Sequence, residues 1–216
     1  MTQKISFPDA AGLYLAYGSN LASRLADRLI SGFQSTFFID EETKLDYYRS
    51  HGIEHAKAGR FMRALPMLDV VAEQLTNDSE VMLFRGLCNI KLGNKEAGMA
   101  LLESARVKDA ENPTTARILG IAYAQAGENE KALPLLTSAA EAFPENFTVQ
   151  YRLGAILDNL GRHAEAVVYF ERALKLRPFS TKVLRALAYS LEQLGEREKA
   201  MGFFKRADEL EDSEGN

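Results

Sequence analysis

The five residues His51-Gly52-Ile53-Glu54-His55 spell H-x-x-E-H. On a helix that spacing sets two imidazoles on one face beside a carboxylate able to serve as general base in a zinc hydrolase. A metal centre needs a further ligand, and no matched histidine or carboxylate stands at a corresponding place elsewhere in the chain. His163 is isolated in an expected turn. Cys88 is the single cysteine, so it has no partner for an intramolecular disulfide and no C-x-x-C pair exists. There is no Ser-His-Asp or Cys-His arrangement and no phosphate-cradling glycine loop. No catalytic residue, metal or cofactor is expected, and metallohydrolysis by His51, Glu54 and His55 ranks last of three functional readings.

The elements that carry these residues explain them better. Glycines recur at Gly52, Gly86, Gly120 and Gly154, spaced by 34 residues, with Ala188 continuing the series; a second series runs Gly59, Gly93, Gly127, Gly161 and Gly195. Five units follow: 45-78, 79-112, 113-146, 147-180 and 181-214. Within each, the glycine at position eight suits a close helix contact and the one at position fifteen suits a left-handed helix end. Ala64, Ala132, Ala166 and Ala200 share position twenty. Leu68, Leu102, Leu136, Phe170 and Phe204 share position twenty-four, where a large apolar group fills the space between units. Pro144 and Pro178 stop the second helix. His51, Gly52 and His55 fall at positions seven, eight and eleven, which the helix pair is expected to bury.

A repeated helix-turn-helix of this length resembles the tetratricopeptide repeat. The expected fold is all-α, a solenoid in which antiparallel helix pairs wind into a right-handed superhelix. Five clear repeats follow a degenerate segment, 1-44, in which Gly18 keeps the spacing but Leu25 and Ile30 replace small residues. Unit 79-112 is the least regular, with Gly98 at position twenty and no proline at its end, so a bend is expected near Asp109-Pro113. The acidic tail from Glu209 onward is expected to fray.

Such solenoids bind through their concave face, lined by the first helix of each unit at positions two, five, nine, twelve and thirteen. The candidate groove residues are Arg49, Ile53, Lys57, Leu83, Leu87, Lys91, Arg117, Ile121, Tyr151, Asp158 and Asn159. The first half is basic through Arg49, Lys57, Lys91 and Arg117, over an apolar floor of Ile53, Leu83, Leu87 and Ile121. That pattern suits a peptide with acidic and apolar residues, and Arg49 is expected to pair with an acidic group of another subunit. Tetratricopeptide repeats that grip acidic chaperone tails resemble one another in carrying lysine at position five and asparagine at nine. Here position nine holds Ile53, Leu87, Ile121, Ala155 and Tyr189, which argues against a chaperone adaptor.

The 216 residues carry 26 basic and 30 acidic side chains, for a net charge of -4, so nothing favours nucleic acid as a partner. Lys4 ahead of Ala10 to Gly18 has the outline of a weak secretory signal, but Pro8 and Asp9 interrupt it and no small-x-small site follows. No stretch reaches the ~20 apolar residues of a membrane span, so the chain is expected to be cytoplasmic and any membrane contact to be peripheral.

A narrower resemblance rests on Tyr47-Tyr48-Arg49-Ser50-His51-Gly52-Ile53-Glu54-His55-Ala56-Lys57-Ala58-Gly59-Arg60 and on Arg152-Leu153-Gly154-Ala155-Ile156-Leu157-Asp158-Asn159-Leu160-Gly161-Arg162, with a weaker match at Leu13-Tyr14-Leu15-Ala16-Tyr17-Gly18. These segments resemble the MamA family, magnetosome-associated tetratricopeptide-repeat proteins of magnetotactic bacteria. The resemblance implies a non-enzymatic scaffold that self-assembles into a coat on the cytosolic face of the magnetosome membrane. It further implies recruitment of magnetosome membrane proteins, support for magnetite biomineralisation, and two subdomains, 45-112 and 113-214, with a flexible connection. It also implies that the concave N-terminal surface serves self-recognition, with Arg49 as the arginine after the paired tyrosines. The rival reading is a soluble adaptor delivering a client peptide to a secretion or pilus assembly machine. A mobile 1-44 segment, with its apolar Leu13, Leu21, Leu29, Phe33 and Phe37, is expected to couple one subunit to the next.

Overall fold

The computed structural model describes residues 41-214, so the expected degenerate repeat, the weak signal segment and the coupling helices lie outside the described residues except for their last few positions. The chain parts into two units between Tyr47 and Tyr48, and the repeats occupy the second. Its helices are α1 (Glu41–Lys57, from Tyr48 onward), α2 (Phe61–Gln74), α3 (Ser79–Lys91), α4 (Lys95–Lys108), α5 (Pro113–Ala126), α6 (Asn129–Ala142), α7 (Phe147–Asn159), α8 (His163–Leu176), α9 (Thr181–Gln193) and α10 (Arg197–Glu214). Helices follow one another as five pairs, and each packs chiefly on its neighbours in sequence. The first helix of a pair also touches the first helix of the next, α3 on α5, α5 on α7 and α7 on α9, which is the nearest-neighbour pattern of a solenoid.

The two glycine series do separate jobs. Gly59, Gly93, Gly127, Gly161 and Gly195 all adopt positive φ, from 73° to 99°, a left-handed turn that reverses the chain between paired helices. The other series clears space: a Cβ at Gly120 would lie 2.9 Å from Leu136 Cγ, and one at Gly154 2.8 Å from the Phe170 ring. Leu68, Leu102, Leu136 and Phe170 are accordingly sealed in the core, while Phe204 in the last pair is half-buried and meets the Tyr189 ring edge-on at 5.0 Å.

Each first helix after α1 begins at position thirty-four of the preceding unit, at Asp78, Asn112, Asn146 and Ser180. Asp78 accepts from Val81 N, Asn112 from Thr114 N and Thr115 N, and Asn146 from Val149 N, satisfying amides that a helix start leaves open.

Unit 79-112 owes its irregularity to closeness. A Cβ on Gly98 would come within 2.6 Å of Ile90 Cγ1 and 2.8 Å of the Gly86 carbonyl oxygen, so the alanine found at position twenty elsewhere does not fit. The Asp109-Pro113 stretch is a short connection in which Asp109 ends α4, Asn112 caps α5 and Pro113 opens it. The α4–α5 contact is the thinnest between successive pairs, and Tyr123 on α5 bridges it by donating to Glu103 on α4 at 2.6 Å. The acidic tail departs from expectation: α10 continues through Glu214, and Arg185 clasps Asp208 and Glu211 at 2.8 Å each. Among the described residues no helix is long and apolar enough to cross a membrane.

Candidate protein-binding groove

A groove of about 510 Å³ runs along the first three helix pairs. Lys57, Phe84, Leu87, Lys91, Arg117 and Ile121 are among its walls, with Thr114, Gln125 and Thr148 along α5 and α7. Five of the eleven candidate residues, Lys57, Leu87, Lys91, Arg117 and Ile121, therefore meet in one concavity. Two others, Ile53 and Leu83, are buried in the core and are not among its walls. The floor is completed instead by Phe84 and Ile118, which share position six of their units. The signal was available in the spacing, since positions six, nine and thirteen lie on one helical face.

Position five shows how differently one repeat slot can be used. Arg49 places Nε 2.6 Å from Asp78 and Nη2 3.0 Å from Glu80, so its charge is engaged within its own chain rather than held out for another subunit. Burial opposes this guanidinium's charge, but the hydrogen bond to Asp78 outweighs it and raises the pKa of Arg49. Arg185 is likewise paired. Arg117 has no carboxylate among the described residues; its guanidinium lies 5.6 Å from the Phe143 ring, and burial lowers its pKa. The cause is legible by translation along the repeat. The places that Asp78 and Glu80 hold relative to Arg49 are held relative to Arg117 by Asn146 and Thr148, both neutral.

The other groove cations are less constrained. Lys57 sits 3.6 Å from Glu80 and 5.1 Å above the Phe84 ring, while Lys91 is exposed and makes no ion pair among the described residues. A half-buried guanidinium without a counter-charge, flanked by two lysines over apolar walls, makes an anion-seeking site suited to a carboxylate.

Further along, the candidates are internally committed. The Tyr151 ring stacks on Phe147 at 6.3 Å, meets Phe170 at 5.9 Å and lies under Lys182 Nζ at 4.8 Å. Asp158 Oδ1 accepts from Ser190 Oγ at 2.6 Å and from His163 Nδ1 at 2.8 Å, tying α7 to α8 and α9. Asn159 is exposed beyond this lock.

The H-x-x-E-H residues do not converge. His51 and His55 are half-buried rather than buried, and Glu54 is exposed, 4.0 Å from Arg60. His55 Nδ1 is enclosed without a hydrogen-bond partner. Among the described residues no group of three His, Cys, Asp or Glu side chains is placed to hold a metal. Burial and the Asp69 charge push the Cys88 thiol up to about 11, which keeps it protonated and unreactive.

The profile of the tetratricopeptide-repeat family matches residues 49–113, 119–181 and 160–214. Magnetosome protein MamA of Magnetospirillum gryphiswaldense is 43% identical over 78 residues, and that of Paramagnetospirillum magneticum 41% over 78 residues. Each alignment spans 36% of this chain and 36% of the relative's own length. Among solved structures, MamA of MSR-1 superposes with a TM-score of 0.70 at 45% identity, covering 79% of this chain and 98% of that one. MamA of AMB-1 superposes at 0.72 with 44% identity, covering 77% and 98%. The repeat, the fold and these likenesses agree: the chain belongs to the MamA family of tetratricopeptide-repeat proteins.

Proposed function

We propose that this protein is a non-enzymatic scaffold of the magnetosome, whose groove in the first three helix pairs takes acidic, partly apolar segments of protein partners. The observation that carries the reading is Arg117, half-buried in an apolar-walled groove with neutral Asn146 and Thr148 where Arg49 has carboxylates. A bound carboxylate would supply the missing counter-charge. The relatives are named as magnetosome proteins, and the scaffold role extends that setting to this chain: copies assemble into a coat on the cytosolic face of the membrane and recruit other magnetosome proteins, in support of magnetite biomineralisation. Many weak contacts repeated across a coat give strong net attachment. The reading includes a division into subdomains 45-112 and 113-214; the thin α4–α5 contact supports it, since a change of angle there would alter the groove.

Size-exclusion chromatography with light scattering on the untagged full chain tests the scaffold. A coat protein forms large particles alone. A chain that stays monomeric until a client peptide arrives would be an adaptor for a secretion or pilus machine instead.

A further inference from the structure

Beside the groove lies a second, smaller concavity of about 280 Å³, between the α3–α4 pair and α5. Its walls are Ile90, Met99, Ala122 and Ala126, with Lys95 and Gln125 as its polar members. It sits at the α4–α5 contact, the thinnest between successive pairs, and next to the place where Gly98 draws α4 against α3. Gln125 lines both this cavity and the groove, so the two open side by side.

We propose that the groove's occupant is a segment of a separate protein carrying a carboxylate and, about four residues away in extended conformation, an aliphatic side chain; the carboxylate meets Arg117 and the aliphatic group fills the cavity between α3–α4 and α5. This deepens the groove reading and rests on it. The chemistry follows from the walls. Ile90, Ala122 and Ala126 offer only hydrocarbon, and Met99 has the flexible thioether that adapts to irregular apolar shapes. The charge comes from Arg117, which has no carboxylate partner among the described residues, and from Lys91 on the facing helix. The spacing follows from α5. Arg117, Ile121 and Gln125 succeed one another at every fourth residue on one face, and the eight-residue step rises about 12 Å at 1.5 Å per residue. An extended peptide covers that length in about four residues at ~3.3 Å each. The occupant is assigned to a separate protein because this chain's described acids beside aliphatic side chains lie on helices joined by short turns, with no extended segment to lend, and Glu211 beside Leu210 is already given to Arg185.

The test is selection from a random twelve-residue phage-displayed peptide library on the immobilised full chain, on Ala126→Leu and on Arg117→Gln, each first shown to melt as the parent does. Ala126 is exposed, so leucine there grows into the cavity rather than into the core. The parent should enrich Asp or Glu paired with Leu, Ile or Met about four positions away. Ala126→Leu should keep the acidic preference and lose the aliphatic one about tenfold. Arg117→Gln should lose the acidic preference. An unchanged aliphatic preference on Ala126→Leu overturns the cavity assignment alone, whereas an unchanged acidic preference on Arg117→Gln overturns the groove reading itself. A synthetic peptide of residues 205-214 that displaces the selected sequences would overturn the assignment to a separate protein and make a second copy the occupant.

Discussion

The first three helix pairs and the last two are built from one repeat, yet position five is left without a carboxylate at Arg117 in the first region and closed by carboxylates at Arg185 in the second. In the last two pairs Asp158 is bound by His163 and Ser190, Tyr151 is wedged among Phe147, Phe170 and Lys182, and Arg185 holds Asp208 and Glu211. Their polar chemistry is spent on holding the solenoid together. In the first three pairs Arg117 and Lys91 have no carboxylate among the described residues, and the walls around them are apolar. On the proposed reading the binding site is the slot left uncompensated, while the matching slots elsewhere stabilise the solenoid.

The largest test of that division concerns closeness in the first region. Gly98→Ala, although it restores the residue of the other units, should destabilise by about 3 kcal/mol, because the new Cβ meets backbone atoms that have nowhere to move. A thermal or denaturant melt reads it directly, and an unchanged midpoint would mean that α3 and α4 are not so closely apposed. Asp158→Ala in the second region comes next, at about 1 to 2 kcal/mol, since it strands the buried Ser190 hydroxyl. Arg117→Gln gives up the Phe143 ring contact but no carboxylate, so it should cost no more than about 0.5 to 1 kcal/mol. If Arg117→Gln destabilised as much as Asp158→Ala, the contrast between the regions would fail.

A smaller effect follows from Asp78. Burial raises its pKa, but hydrogen bonds from Arg49 and from the Val81 amide outweigh burial and hold the carboxyl below its usual range. A depressed folded pKa contributes stability that is present above the unfolded value of about 3.9 and is lost as pH falls through the folded one. The melting temperature should therefore decline below about pH 4, and Arg49→Gln should make that decline shallower. An equally steep acid limb in Arg49→Gln would mean that Arg49 does not brace the cap.

Much of this fold is legible in the sequence because a solenoid's contacts are local, so a fixed spacing of Gly120, Leu136 and their equivalents determines each pair by itself. Helix starts are legible too, in the capping residues Asp78, Asn112 and Asn146 as well as in the repeat spacing. The groove is half legible. Its slots include Ile53 and Leu83, but their helices turn those side chains into the core. Arg49 and Arg117 look alike by slot and differ in the last position of their own unit and the second of the next, Asp78 and Glu80 against Asn146 and Thr148. Compensation depends on side chains 29 and 31 residues away, one at the end of the same unit and one in the next, and a reading confined to the first helix of each unit does not contain it.

The most direct measurement is fluorescence anisotropy with one acidic peptide selected on the unaltered chain, titrated into Arg117→Glu and Arg185→Glu. Both variants reverse the same charge at position five of a unit, so net-charge effects cancel between them. The predicted result is a loss of affinity of at least about tenfold for Arg117→Glu and less than about twofold for Arg185→Glu. Equal weakening by both, or undiminished binding to Arg117→Glu, would contradict the claim that the uncompensated slot is the binding site.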